Sequence, residues 1–197
     1  MKKAILLFVV ISFTLLHGLK AQNPYNRPLN RLNSVGFLLD IPGVDEQLPE
    51  YTGNGYAPIL LQANLRFPLI KNNGKHQCTL MVQPQFNPVV PIEGYNGFLF
   101  EAGVNLGIAY EYYVPERAII FIGAGVGPHY INVQTSQQAD GFIFSDNLFA
   151  GVHQILSRDW FLTYELRIRH ISNAGLQEPN GGIDNAFGGI GLSYFIR

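Results

Sequence analysis

This chain is short of charge. Lysine, arginine, aspartate and glutamate make up 14% of its 197 residues, against about 25% in an ordinary soluble domain, and a soluble surface of this size needs more. The net charge is −1, so there is no basic footprint for a nucleic acid. The single cysteine, Cys78, has no partner within the chain, which excludes a fold held by internal disulfides. Metal-ligand spacings, a phosphate-cradling glycine loop and nucleotide motifs are all missing, and no cofactor is expected. Beyond Ala21 no stretch approaches the ~20 apolar residues of a transmembrane helix. If the chain crosses a membrane it must do so as a closed β-barrel, because only helices and closed sheets satisfy their backbone in lipid.

What is present begins with Lys2 and Lys3, an apolar run over 4–16, and Gly18-Leu19-Lys20-Ala21. That order predicts a secretory signal peptide over 1–21, followed by a lead-in over 22–33 with no structure of its own.

From Ser34 onward the chain reads as eight alternating segments: 34–41, 57–69, 76–88, 97–113, 117–132, 141–155, 159–171 and 184–196. The side-chain period of a strand is two. The fourth segment places Phe98, Phe100, Ala102, Val104, Leu106, Ile108, Tyr110 and Tyr112 on one face and Glu101, Gly103, Asn105, Gly107 and Glu111 on the other. The third sets Cys78, Leu80, Val82 and Phe86 against Gln77, Thr79, Gln83, Gln85 and Asn87. In the sixth the pattern is weakest, because Asp146 falls on the apolar face.

An even number of such segments suits a small outer-membrane barrel over 34–197. A soluble lipocalin-like barrel would instead turn its apolar face inward. Three features favour apolar-out. The polar faces hold Gly, Gln, Asn and pairable charges such as Glu101, Glu165, Arg167 and Arg169 but almost no lysine. Several segments exceed the 5–6 residues typical of soluble strands. Aromatics gather at the segment ends, with Trp160, Tyr112 and Tyr194 at one end and Phe98, Tyr130 and Phe142 at the other, as interfacial girdles do. Connections alternate short (70–75, 114–116, 156–158) and long (42–56, 89–96, 133–140, 172–183), which puts every long loop outside the cell when both termini are periplasmic.

The seventh segment carries the chemistry. Trp160, Leu162, Tyr164, Leu166 and Ile168 form its apolar stripe, and His170 and Ser172 continue it. Ten residues at about 3.3 Å, tilted by about 40°, climb roughly 25 Å, the height of the apolar band, so both side chains are expected at the outer lipid interface. Asp184 opens the eighth segment at the same level. A serine hydroxyl needs a neighbouring imidazole to take its proton, the imidazole needs an acceptor on its other nitrogen, and the developing oxyanion needs donors. The Asn- and Gly-rich loop from Asn173 to Gly182 offers such donors, Asn173 itself among them. Glu178 is a less apt acid from within that loop. The interior-facing His129 and His153 are read as hydrogen-bonded core.

The stretch His170-Ile171-Ser172-Asn173-Ala174-Gly175, continued by Pro179-Asn180-Gly181-Gly182-Ile183-Asp184, resembles the signature of the outer-membrane lipid A 3-O-deacylases, the PagL family. Its members are eight-stranded barrels that remove the ester-linked hydroxyacyl chain at the 3-position of lipid A. The resemblance implies His170 as base, Ser172 as nucleophile and Asp184 as the acidic member, with Asn180 and the Gly175 N–H at the oxyanion. It also implies lipid A of the lipopolysaccharide leaflet as partner and the bacterial outer membrane as location; self-association into a homodimer stays open. The family typically carries glutamate where Asp184 stands, so this carboxylate has one methylene less reach. The rival from another class is a non-catalytic small barrel with a structural, adhesive or defence role.

Overall fold

The computed structural model describes residues 31–43, 56–72, 74–90, 97–115 and 117–196. The predicted leader over 1–21 and most of the lead-in lie outside the described residues. Eight strands follow in chain order: β1 (Ser34–Pro42), β2 (Leu60–Asn72), β3 (His76–Pro88), β4 (Phe100–Val114), β5 (Ala118–Ile131), β6 (Gly141–Ile155), β7 (Trp160–Ser172) and β8 (Ile183–Phe195). Each is hydrogen-bonded to its neighbours in sequence, and β1 pairs antiparallel with β8 to close the barrel.

The expected segments match these strands to within a residue, except that the fourth begins at Phe100 rather than at 97 and the second runs over 60–72 rather than 57–69. Prolines explain the displacement. Pro58 has no N–H to give a ladder and makes only an isolated bridge to Val89. At the other end the register with β3 shifts between Pro68 and Ile70, a bulge that absorbs one residue and lets the strand continue to Asn72.

Alternation becomes orientation once exposure is known. On β7, Leu166 and Ile168 are 72% and 64% exposed while Arg167 and Arg169 are 2% and 0%. The apolar side therefore looks outward all round, with Phe37, Leu106, Ile108, Ile122 and Leu148 on it. A soluble barrel would reverse this, so the lipocalin-like alternative is discarded.

A barrel of eight strands is filled by side chains and leaves no channel. Here the filling is polar and paired. Glu111 receives Arg66 and Gln77; Glu165 receives Arg167 at 2.7 Å; His153 is bonded to Thr163 at 2.8 Å. Apolar layers close both ends. Tyr113, Ile119, Ile155, Phe161 and Phe195 pack at the short-turn end. Tyr56, Val89, Leu99, Ile131, Val133, Ile143, Ile171 and Ile183 pack at the long-loop end. Outside, Trp160 and Tyr194 meet at 5.1 Å between ring centroids, and at the opposite rim Phe86, Phe98 and Phe100 stack, with Tyr130 tilted against Phe100.

Gly127 shows how closely two strands approach. A Cβ there would collide with the Val104 carbonyl and lie 2.9 Å from the Asn105 Cα, all of it backbone that cannot rotate away. Gly127→Ala is expected to cost about 1–3 kcal/mol by overpacking, measured as a lower urea midpoint for the refolded barrel in detergent. Gly188→Ala on β8, where nothing lies within 4 Å of the new carbon, should leave the midpoint unchanged.

Candidate active site

The β7–β8 register sets His170 opposite Asp184 and Ile171 opposite Ile183. Both isoleucines are buried in the apolar layer under the long loops, and strand parity then turns His170 and Asp184 to the outer wall. Their side chains are 43% and 56% exposed, and His170 Nδ1 lies 2.8 Å from Asp184 Oδ1. A carboxylate only accepts, so Nδ1 carries the hydrogen, and in the neutral imidazole the lone pair is then on Nε2. The shorter acid reaches because directly opposed residues of an antiparallel pair have Cβ atoms about 5 Å apart.

Ser172 leaves the same face of β7 one pleat further on and is half-buried. It is not hydrogen-bonded to His170 in this state; such bonds are often long before substrate binds. Its β6 partner is Phe144, whose ring meets Phe142 edge-on at 5.0 Å. The nucleophile candidate thus borders an aromatic wall on the lipid side. One level down, the β6 partner of His170 is Asp146, the residue that interrupts the apolar face of its segment. His170 is therefore flanked by carboxylates on both neighbouring strands, and is bonded to the one on β8.

Behind this face, Arg169 points inward and fixes the strand. Its Nη1 and Nη2 donate to Glu101 at 2.8 and 3.1 Å. Glu101 also accepts from Tyr56 Oη at 2.6 Å, His129 Nδ1 at 2.6 Å and Asn87 Nδ2 at 2.9 Å. Burial, reinforced by the Glu101 charge, pushes the Tyr56 phenol well above its ordinary range and keeps it a donor.

The connection after Ser172 is built around Asn173, which is fully buried. Asn173 Nδ2 donates to the Gln177 carbonyl at 2.6 Å, its Oδ1 accepts the Gly175 N–H at 3.0 Å, and its own N–H donates to Asn180 Oδ1 at 2.9 Å. Asn173 thus staples the loop from inside. The Gly175 N–H is already engaged in this state. Asn180 has its oxygen committed inward, which leaves Nδ2 as its available donor. Glu178 is exposed on the loop.

A second loop braces the first. The Ala139 N–H donates to the Pro179 carbonyl at 2.8 Å and the Gly181 N–H to the Gln137 carbonyl at 2.6 Å, so that Gln138 and Asn180 bridge. Thr135 shapes this β5–β6 connection by accepting the N–H groups of Gln137 and Gln138. The sequence holds no marker for the brace, since it rests on backbone groups. Asp146 did leave one, as a charge on an apolar stripe.

The family model described as lipid A 3-O-deacylase (PagL) matches residues 73–193, which span β3 to β8 and contain every candidate residue. Among solved structures the chain is similar to the outer membrane enzyme PagL, at 17% identity and a TM-score of 0.57 over 80% of this chain and 97% of that one. It is also similar to the N-terminal β-barrel domain of Pseudomonas aeruginosa OprF, at 14% identity and 0.49 over 84% and 98%. A third is the outer membrane protein OprG of the same organism, at 11% and 0.45 over 91% and 100%. No curated protein sequence matches the chain. With more than half of its length under the family model, and its strands closed into an outer-membrane barrel, this chain belongs to the lipid A 3-O-deacylase (PagL) family.

Proposed function

We propose that the protein is a serine esterase that removes the 3-linked hydroxyacyl chain of lipid A from within the outer leaflet. The observation that carries this reading is the outward His170–Asp184 pair at the long-loop rim, one pleat below Ser172. Lipid A presents its ester linkages at that height, with acyl chains lying along the barrel wall, so the substrate needs no path through the filled lumen.

In this reading Ser172 Oγ attacks the ester carbonyl as His170 Nε2 takes its proton. Asp184 holds the imidazole in the tautomer with Nδ1 protonated and stabilises the imidazolium. The tetrahedral oxyanion receives a hydrogen bond from Asn180 Nδ2, the donor that the loop leaves uncommitted, and is strengthened by the low dielectric of the interface. Asn173 acts through the loop it staples, and the Gly175 N–H would join the oxyanion only on leaving Asn173 Oδ1. Collapse returns the proton to the departing sugar hydroxyl. Water, deprotonated by His170, then releases a 3-hydroxy fatty acid from Ser172. Phe142 and Phe144 border the nucleophile where the departing chain would lie. The leader over 1–21 would direct the chain out of the cytoplasm for insertion.

Mass analysis of lipid A from cells expressing the protein tests this. The expected result is loss of one 3-hydroxyacyl unit relative to cells without it, with free 3-hydroxy fatty acid recovered. Unchanged lipid A alongside correctly inserted protein would favour the non-catalytic barrel instead.

A further inference from the structure

Between the exposed Gly181 and the exposed Asp184, Gly182 is buried. The atoms nearest to where its side chain would stand belong to His170. A Cβ built on Gly182 would lie 2.5 Å from Cε1 and 3.0 Å from Nε2 of that ring, with the Ile171 carbonyl 3.3 Å away on another side. We propose that Gly182 is a positioning residue for His170, the space of its absent side chain being the seat in which the imidazole rests. This inference rests on the reading of His170 as the base.

The geometry leaves the ring little choice. Nδ1 is tied to Asp184 at 2.8 Å, the adjoining Cε1–Nε2 edge faces the place a Gly182 side chain would take, and His170 itself is held in the β7 ladder between Asp146 and Asp184. With the strand fixing one end of the side chain, a hydrogen bond at Nδ1 and packing along the neighbouring Cε1–Nε2 edge leave the ring little room to turn. A methyl group at position 182 cannot share the site, since real Cβ atoms do not stand 2.5 Å from a ring carbon. Either the ring swings out and lengthens its bond to Asp184, or the loop carrying Asn180 lifts. Each moves catalytic atoms relative to one another, and a displacement of 1 Å costs on the order of 100-fold in rate. Neither touches the aromatic wall beside Ser172, so substrate binding should survive.

Gly182 also has φ +73°, and strain alone could make a substitution harmful. Strain and seat are separable. Asparagine accepts the left-handed region but carries a Cβ. Gly141, at φ +98° with nothing within 4 Å of its Cβ position, reports strain without a collision. Ala174 already occupies the left-handed region, at φ 55°, in the same loop.

The test uses purified, refolded full-length barrels acting on lipid A micelles, with fluorophosphonate labelling of Ser172 as a second readout and heat-modifiable gel mobility to verify folding. Gly182→Ala and Gly182→Asn should each lower kcat by about 100-fold, leave KM within a few-fold and slow labelling, while Gly141→Ala keeps wild-type kcat. Wild-type kcat in either Gly182 variant overturns the seat: in alanine it means no collision, in asparagine that strain was the cause. Should the Gly182→Ala barrel fail to fold, Gly182→Asn carries the test alone. Undiminished turnover by Ser172→Ala would instead overturn the esterase reading beneath it.

Discussion

Ser172→Ala and His170→Ala are each expected to abolish release of 3-hydroxy fatty acid, by at least about a thousandfold, without changing the heat-modifiable mobility of the folded barrel. Members of a nucleophile–base pair act as a unit, so removing either costs nearly as much as removing both; the double variant should be no slower than the slower single one. Asp184→Asn belongs to the same experiment. The amide would keep a partner for Nδ1 while presenting it as acceptor or donor, so the tautomer is no longer enforced, and a loss of about 10²–10⁴-fold follows from that alone. Asp184→Glu should behave differently. The carboxylate at 184 is more than half exposed and faces the bilayer rim, where one more methylene has room to fold back toward Nδ1, and activity within about tenfold of wild type is expected because each tenfold reflects only about 1.4 kcal/mol. Retention of full activity by His170→Ala would remove the imidazole from the mechanism and leave the outward pair unexplained.

Much of this site was legible in the sequence for one physical reason. A strand's side chains alternate, so the face occupied by Leu166 and Ile168 is also the face of His170 and Ser172, and the hydropathy of the former tells where the latter point. The same rule predicted that Arg167 and Arg169 would be buried, as they are. What sequence could not supply is registration between strands. Asp184 is the direct partner of His170 because Ile171 meets Ile183 one step higher, and no residue type encodes that pairing. Asp146 was visible only as an irregularity until the β6–β7 register placed it beside His170. The brace from Gln137 and Ala139 consists of backbone hydrogen bonds, which leave no trace in composition. The displaced start of β2 follows from Pro58, whose effect on a ladder depends on which strand lies next to it.

Glu101→Ala should cost the folded barrel more than any other single change inside it, about 3–5 kcal/mol, the scale of removing one partner from a buried ion pair. Glu101 is fully buried and takes five hydrogen bonds from four side chains: Tyr56, Asn87, His129 and both terminal nitrogens of Arg169. Without it the Arg169 guanidinium, 0% exposed, keeps its charge in the lumen with no carboxylate on it, and the Tyr56 phenol loses its acceptor under the apolar cap. Glu101→Gln keeps the shape but has one oxygen to accept with and an amide that opposes the guanidinium, so it should fall between the two. The discriminating variant is Glu101→Leu combined with Arg169→Met, which removes both charges and restores volume; replacing a whole buried pair by apolar groups is often neutral or stabilising. Urea unfolding in detergent should therefore rank wild type and the double replacement above Glu101→Gln, and that above Glu101→Ala. A double replacement as unstable as Glu101→Ala would mean that the hydrogen-bonded cluster itself holds the upper barrel together. In that case Tyr56, reaching down from the β1–β2 connection to Glu101, would be the pin that keeps the wall behind His170 closed.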